Sequence, residues 1–204
     1  YVPRDVDRAA ELLVEWVKSE GYLSARLITV NKSYVGETKA RLLVYLYEGE
    51  RTLVESAEFE GLEQLTRDQA LDTLGVTEGK ALNLFVFTEG IEKLKARYRN
   101  AGYLDFRVIN EGTERVVTYA DENRKARIRL ELDEGPKFTV NRIEIEGNER
   151  TQKSVILHEL SFKPGDVLKD DLLAESETNL KRLQIFSGVS VRIFTDSERP
   201  DTKV

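Results

Sequence analysis

The sequence predicts an α+β fold built from tandem copies of one β-α-α-β-β unit, and three observations carry that prediction. The first is a constant offset. Arg51 and Lys137, Val54 and Val140, Ala57 and Ile143, Phe59 and Ile145, Gly61 and Gly147, Leu74 and Leu160, Gly79 and Gly165, and Leu82 and Leu168 all stand 86 positions apart. Gly49 and Gly135 share the offset. A period of that length holds one small α/β unit and not a solenoid turn. The second observation is that each copy alternates short stretches of period two with longer stretches of helical period. The third is punctuation: Gly61 and Gly147 close the opening strands, and Gly-Tyr-Leu recurs at Gly21-Tyr22-Leu23 and Gly102-Tyr103-Leu104.

The chain opens in a helix. Asp5 is placed to cap it, Val6, Ala9, Ala10, Leu13, Trp16 and Val17 follow helical spacing, and the turn at Gly21-Tyr22 ends it. Residues 23–31 read as a strand, Tyr34-Val35-Gly36-Glu37 as a turn, and residues 39–47 as a second strand with Ala40, Leu42, Val44 and Leu46 on one face. Helix, strand, strand is the latter part of the unit. Residues 1–50 are therefore predicted as the C-terminal part of a copy.

The middle copy, residues 51–136, is predicted whole. A strand over 52–59 leads to Thr66-Arg67-Asp68-Gln69, where the hydroxyl and the Gln side chain match a capping box and start a helix that runs to Leu74. Thr88 is expected to cap a second helix bearing Ile91, Leu94 and Tyr98 and stopping at Gly102-Tyr103. Residues 104–111 then form a strand, a polar connection falls near Ala120-Asp121-Glu122-Asn123, and residues 125–132 form the last strand, with Ala126, Ile128, Leu130 and Leu132 alternating. Residues 137–204 are predicted as a third copy lacking its last strand. Its opening strand starts at Phe138, its turn is Gly147-Asn148, its helices cover 152–160 and 170–183, and 188–194 is a strand.

Connection rules fix the sheet. Two antiparallel helices return the chain so that the first and second strands run oppositely, and the following hairpin makes the third strand parallel to the first. The simplest closure is a mixed sheet ordered first, third, second, covered by the two helices.

Bulk composition narrows the chemistry. At 204 residues, 40% hydrophobic and 33% charged, the sequence is that of a globular chain. The net charge of −6, with no basic stripe, argues against nucleic acid as a partner. There is no Cys for a disulfide framework or zinc cluster, and His158 is the single His, so no metal site is expected. No apolar run approaches the ~18 residues that span a bilayer. Asp170-Asp171 and Asp121-Glu122 suit a helix N-terminus and a polar loop, and no nucleophile context or phosphate loop accompanies them. No enzyme and no cofactor is expected, and from the absence of Met the sequence is expected to be a segment of a longer protein.

The order of motifs resembles a known family. The strand, the Gly147-Asn148 turn, Thr151, a two-helix insert with Pro164-Gly165, a helix ending in Ile185-Phe186-Ser187-Gly188-Val189-Ser190-Val191, and the recurrent Gly-Tyr-Leu look like POTRA domains, the polypeptide-transport-associated modules. Glu48-Gly49-Glu50 and Glu134-Gly135-Pro136-Lys137 resemble the junctions between tandem POTRA domains of the outer-membrane barrel-assembly family typified by BamA and TamA. The resemblance covers nearly the whole chain. One departure is Gln184-Ile185, which stands where the other copies have Gly-Tyr.

The resemblance implies a periplasmic, non-enzymatic segment of an outer-membrane protein in a Gram-negative bacterium, its membrane barrel lying outside this chain. It implies two kinds of partner, unfolded outer-membrane protein precursors and accessory assembly proteins such as lipoproteins. A two-partner secretion transporter, or a scaffold domain of a cell-division or secretion protein, is the alternative. The physical candidate for a site is an edge strand, whose unpaired N–H and C=O groups accept an extended segment with little demand on its sequence. Leu104, Asp105, Phe106, Arg107, Val108 and Ile109 are the expected partner-binding residues, with 23–31 and 188–194 as equivalents.

Overall fold

Residues 3–35, 39–194 and 202–203 are described by a computed structural model of the chain. The elements in order are α1 (Pro3–Ser19), β1 (Arg26–Val35), β2 (Lys39–Tyr47), β3 (Leu53–Glu60), α2 (Arg67–Leu74), α3 (Leu84–Asn100), β4 (Arg107–Val108), β5 (Val117–Ala120), β6 (Lys125–Asp133), β7 (Thr139–Val140), α4 (Lys153–His158), α5 (Asp170–Arg182) and β8 (Thr202–Lys203). The fold is α+β with mixed sheets, and the middle sheet is ordered β3-β6-β4, which is first, third, second. β3 runs parallel to β6, and β4 and β5 run antiparallel to it. The chain divides into two units: one holds the described residues up to Glu60 with Gln64–Glu92 and Asn110–Glu131, the other Gly61–Glu63, Lys93–Ile109 and the described residues from Leu132 on.

In the first unit, α1 buries Ala10, Val14 and Val17, one stripe at helical spacing, and Val14 and Val17 pack with Ala25 and Tyr22. The helix stops because Gly21 takes φ 98° and the chain reverses, with the Gly21 amide donating to the Lys18 carbonyl and the Tyr22 amide to that of Val17. β1 and β2 form a hairpin whose register shifts between Leu27 and Thr29. Its expected inward face is partly realised: Val44 and Leu46 are half-buried, whereas Ala40 and Leu42 are exposed. Of the turn expected at Tyr34-Val35-Gly36-Glu37, Val35 belongs to β1 and Gly36 and Glu37 lie outside the described residues.

The core of the middle copy comes from the predicted alternation. Ala126, Ile128 and Leu130 are at most 1% exposed, and Val54, Ala57, Ala70 and Leu74 at most 2%. Strand β3 carries a register shift between Val54 and Ser56, which is why its buried positions are three apart instead of two. The capping box at Thr66 is present in full, and α2 ends at Gly75 in the left-handed conformation. The expectation for Thr88 is corrected. Helix α3 starts one turn earlier, at Leu84, where the Asn83 side chain accepts from the Val86 amide, and the Thr88 hydroxyl instead donates back to the Leu84 carbonyl.

In the second unit, Phe138, Val140 and Leu168 form a core joined by Leu104, Ile143, Phe162 and Leu173. Thr139–Val140 pairs in parallel with Thr202–Lys203, the relation β3 has to β6. The strand expected over 188–194 is not one: that segment has no ladder and borders, with Val140 and residues 142–146, a hollow of about 510 Å³. Gln184, which replaces the helix-ending Gly, still adopts φ 55°.

The repeat offset recurs in the hydrogen bonds. The Val54 amide donates to the Lys80 carbonyl and the Val140 amide to that of Asp166, and Leu82 to Thr52 is matched by Leu168 to Phe138. The joints between copies are built alike as well. The Thr52 amide donates to the Gly21 carbonyl at 2.7 Å and the Phe138 amide to that of Gly102 at 2.9 Å. The Arg51 guanidinium lies 4.8 Å from the Tyr22 ring centre, and the Lys137 ammonium 6.0 Å from that of Tyr103. A Cβ on Gly21 would sit 2.8 Å from the Leu82 carbonyl oxygen, and one on Gly102 2.5 Å from a Val167 methyl, so both turns require glycine for space as well as for φ.

Candidate strand-addition edge

The six expected edge residues fall on two faces. Phe106 and Val108 are buried, Leu104 is half-buried, and Asp105, Arg107 and Ile109 point to solvent. The inward face is held by the Phe106 ring, stacked on Tyr98 at 4.0 Å between centres. The extended segment is much shorter than expected, however. Leu104 and Asp105 lie in a turn and only Arg107–Val108 pairs, with Asp133 and Leu132 of β6. Arg107 and Asp133 face each other across the ladder, with both Nε and Nη2 donating to Asp133 Oδ2, at 3.0 and 2.7 Å. That bond, with a further one from the Gly135 amide, holds the Asp133 carboxyl below its ordinary titration range.

Sequence reading missed the rest of the edge. Pairing with β6 resumes at β5, Val117–Ala120, opposite Ile128 to Lys125. Before it, Asn110 performs the work of a strand residue with its side chain: Nδ2 donates to the Arg129 carbonyl at 2.9 Å and Oδ1 accepts from the Glu131 amide at 3.0 Å. The amide group of Asn has the donor and acceptor of a peptide unit, so it satisfies the β6 backbone while the main chain departs. The signal available was a lone polar residue on the buried alternation of Phe106 and Val108. The β5–β6 connection uses Asp121, Glu122 and Asn123, all with φ between 54° and 66°.

The opposite edge of the same sheet is occupied from Thr52 to Ala57. Three residues of the first strand and its approach direct their backbone N–H and C=O groups away from β6, and all six of these groups have partners. Thr52 donates to Gly21 and accepts from Leu82; Val54 donates to Lys80 and accepts from Gly79. The Ala57 amide donates to Glu78 Oε1 at 3.0 Å, and its carbonyl accepts from Arg67 Nη2 at 3.1 Å. On the other side, β4 and β5 have β6 as their strand neighbour. Among the described residues, no cluster of three or more His, Cys, Asp or Glu could hold a metal, and no helix is long and apolar enough to cross a membrane.

Tandem β-α-α-β-β copies with shared Gly-Tyr joints define a chain of modular domains. The family model for POTRA, described as surface antigen variable number repeat, matches residues 52–135 and 138–204, and the chain belongs to that family. An outer membrane protein assembly factor of Treponema pallidum (strain Nichols) is 26% identical over 96% of this chain and 23% of its own length. The outer membrane protein assembly factor BamA of Neisseria meningitidis serogroup B (strain MC58) is 24% identical over 68% of this chain and 18% of its own. The chain thus spans about a quarter or less of the length of these relatives. In fold it is similar to the crystal structure of Haemophilus influenzae BamA POTRA3-5, with a TM-score of 0.60 at 20% identity, over 97% of this chain and 77% of that one. Its repeats are tandem POTRA domains.

Proposed function

We propose that the chain is the periplasmic POTRA segment of an outer-membrane protein assembly factor, a non-enzymatic module that holds unfolded barrel precursors by strand addition and docks accessory assembly proteins. The observation that carries this reading is the asymmetry of the middle sheet. Its β3 side has every outward group of Thr52, Val54 and Ala57 occupied, whereas β4 and β5 stand at the edge of the β3-β6-β4 order. An extended segment adds to such an edge through main-chain bonds, so one site serves many sequences, as a receiver of diverse precursors must. Within the expected set, Arg107 and Val108 supply the backbone contact, Ile109 an exposed apolar one, and Leu104, Asp105 and Phe106 shape the approach. Val117–Ala120 extends the platform.

Amide-resolved NMR titration of the 204-residue chain with peptides copied from outer-membrane barrel strands tests this. Perturbations should concentrate at Arg107–Val108 and Val117–Ala120. Perturbations confined to the helices would favour a scaffold role and defeat the strand-addition reading.

A further inference from the structure

We infer that the Arg67–Glu78 pair is a guard that closes the first strand of the middle repeat to strand addition at Ala57, so that an incoming segment is steered to the opposite edge. The inference deepens the strand-addition reading and rests on it for its biological use, while the closure itself stands on geometry. In β3 the outward groups of Thr52 and Val54 are occupied by main chain, from Gly21 and from residues 79–82. Ala57 lies past the register shift, where that loop has turned away, and two side chains take over. Glu78 Oε1 receives the Ala57 amide, Arg67 Nη2 donates to the Ala57 carbonyl, and the same Nη2 and Oε1 meet at 2.5 Å. A carboxylate and a guanidinium joined in this way offer one acceptor and one donor to a strand, as a neighbouring peptide group would.

The placement follows from the sequence. Arg67 is the first residue of α2, set by the capping box at Thr66, and Glu78 precedes Gly79 in the loop that covers Val54. Both side chains are more than a third exposed, at 48% and 40%, so as an isolated surface ion pair they would add little stability. Their cost in ordered side chains is better explained by blocking an edge. At the matching offset in the third repeat stand Lys153 and Pro164. Proline has no side-chain acceptor, so the device belongs to the middle repeat and not to the fold in general.

The chain has no Cys, which allows trapping at introduced positions. The probe is a synthetic peptide with the sequence of β6, Lys125–Asp133, carrying a terminal Cys. Reporter variants of the full chain are Glu58→Cys on β3 and Thr118→Cys on β5. In the otherwise unaltered chain, disulfide trapping should occur at 118 and not at 58. With Arg67→Ala and Glu78→Ala added, trapping at 58 should appear, and the Ala57 amide should exchange about tenfold faster while that of Val54 is unchanged. Glu78→Gln keeps the acceptor and should keep the edge closed, and Arg67→Ala alone should give a partial opening. Trapping at 58 in the unaltered chain overturns the inference, as does its absence in the double variant once Ala57 exchange has risen. Gain at 58 without trapping at 118 would uphold the guard and defeat the β5 edge.

Discussion

The Tyr98 hydroxyl donates to Glu134 Oε1 at 2.5 Å, and the Glu63 amide donates to the same oxygen at 2.8 Å. One buried carboxylate therefore ties α3 to the segment that follows β3 and to the end of β6. Burial first, and then the hydrogen bond to Glu134, raises the Tyr98 phenol far above its ordinary value of 10.0.

Tyr98→Phe should destabilise the chain by about 2 kcal/mol, since the lost hydrogen bond is to a charged partner and Glu134 stays buried. The phenol stays protonated in the folded state while the unfolded chain ionises at its ordinary value. Its contribution is thus full below pH about 10 and declines as pH rises above that. Urea denaturation of both proteins at pH about 8 and about 11 should show the gap between them narrowing at the higher pH.

Arg107→Ala should return the Asp133 carboxyl towards its ordinary 3.8, because the guanidinium is the chief cause of its depression. Depression means that the contribution of this pair is present above that value and fades as pH falls through it. A ¹³C NMR titration of the Asp133 carboxyl reads the change directly, and an unmoved midpoint would contradict the bond.

Asn110→Ala should cost about 1–3 kcal/mol, since it leaves the Arg129 carbonyl and the Glu131 amide without their partner at a position only 5% exposed. Hydrogen exchange should accelerate at Glu131, while the Arg129 amide, which donates to the Val116 carbonyl, stays protected. Equal acceleration at both would mean that the edge unfolds as a whole.

Gly61→Ala should be far more damaging than Gly147→Ala. Both turns have positive φ, 77° and 75°, which costs a non-Gly residue about 1–2 kcal/mol. Gly61 alone adds a clash, since its Cβ would lie 2.2 Å from the Leu132 carbonyl oxygen, whereas nothing lies within 4 Å at Gly147. Chemical denaturation of the two variants separates backbone strain from crowding.

Local rules were readable and non-local ones were not. The capping box placed the start of α2 because Thr66 and Gln69 act within one turn, and the alternation of Ala126, Ile128, Leu130 and Leu132 revealed the central strand because that strand has one face in the core. Gly61 and Gly147 announced their turns through φ alone. The second strand was misjudged in length because the backbone leaves the ladder at Asn110, and a side chain pairing with residues 19 and 21 positions away has no periodic signature. Thr88 looked like a cap because hydroxyls favour that position, yet Asn83 held it and Phe87, at 4% exposure, drew the first turn inward. The closed edge at Ala57 was invisible for the same reason as Asn110: Arg67 and Glu78 are ordinary surface charges until the fold brings them to one peptide unit.

The Gly-Tyr turns have a consequence for where this chain can be cut. Because the Thr52 amide is held by Gly21 and the Phe138 amide by Gly102, the first bond of each strand is made to the copy before it. The 86-residue period and the self-sufficient fragment are therefore out of phase. A piece begun at Arg51 would expose a donor and leave the Arg51 side chain without the ring of Tyr22, whereas one begun at Pro3 carries its own docking seat. The second and third copies are thus each finished by the one before, so the row has a direction written into its main chain.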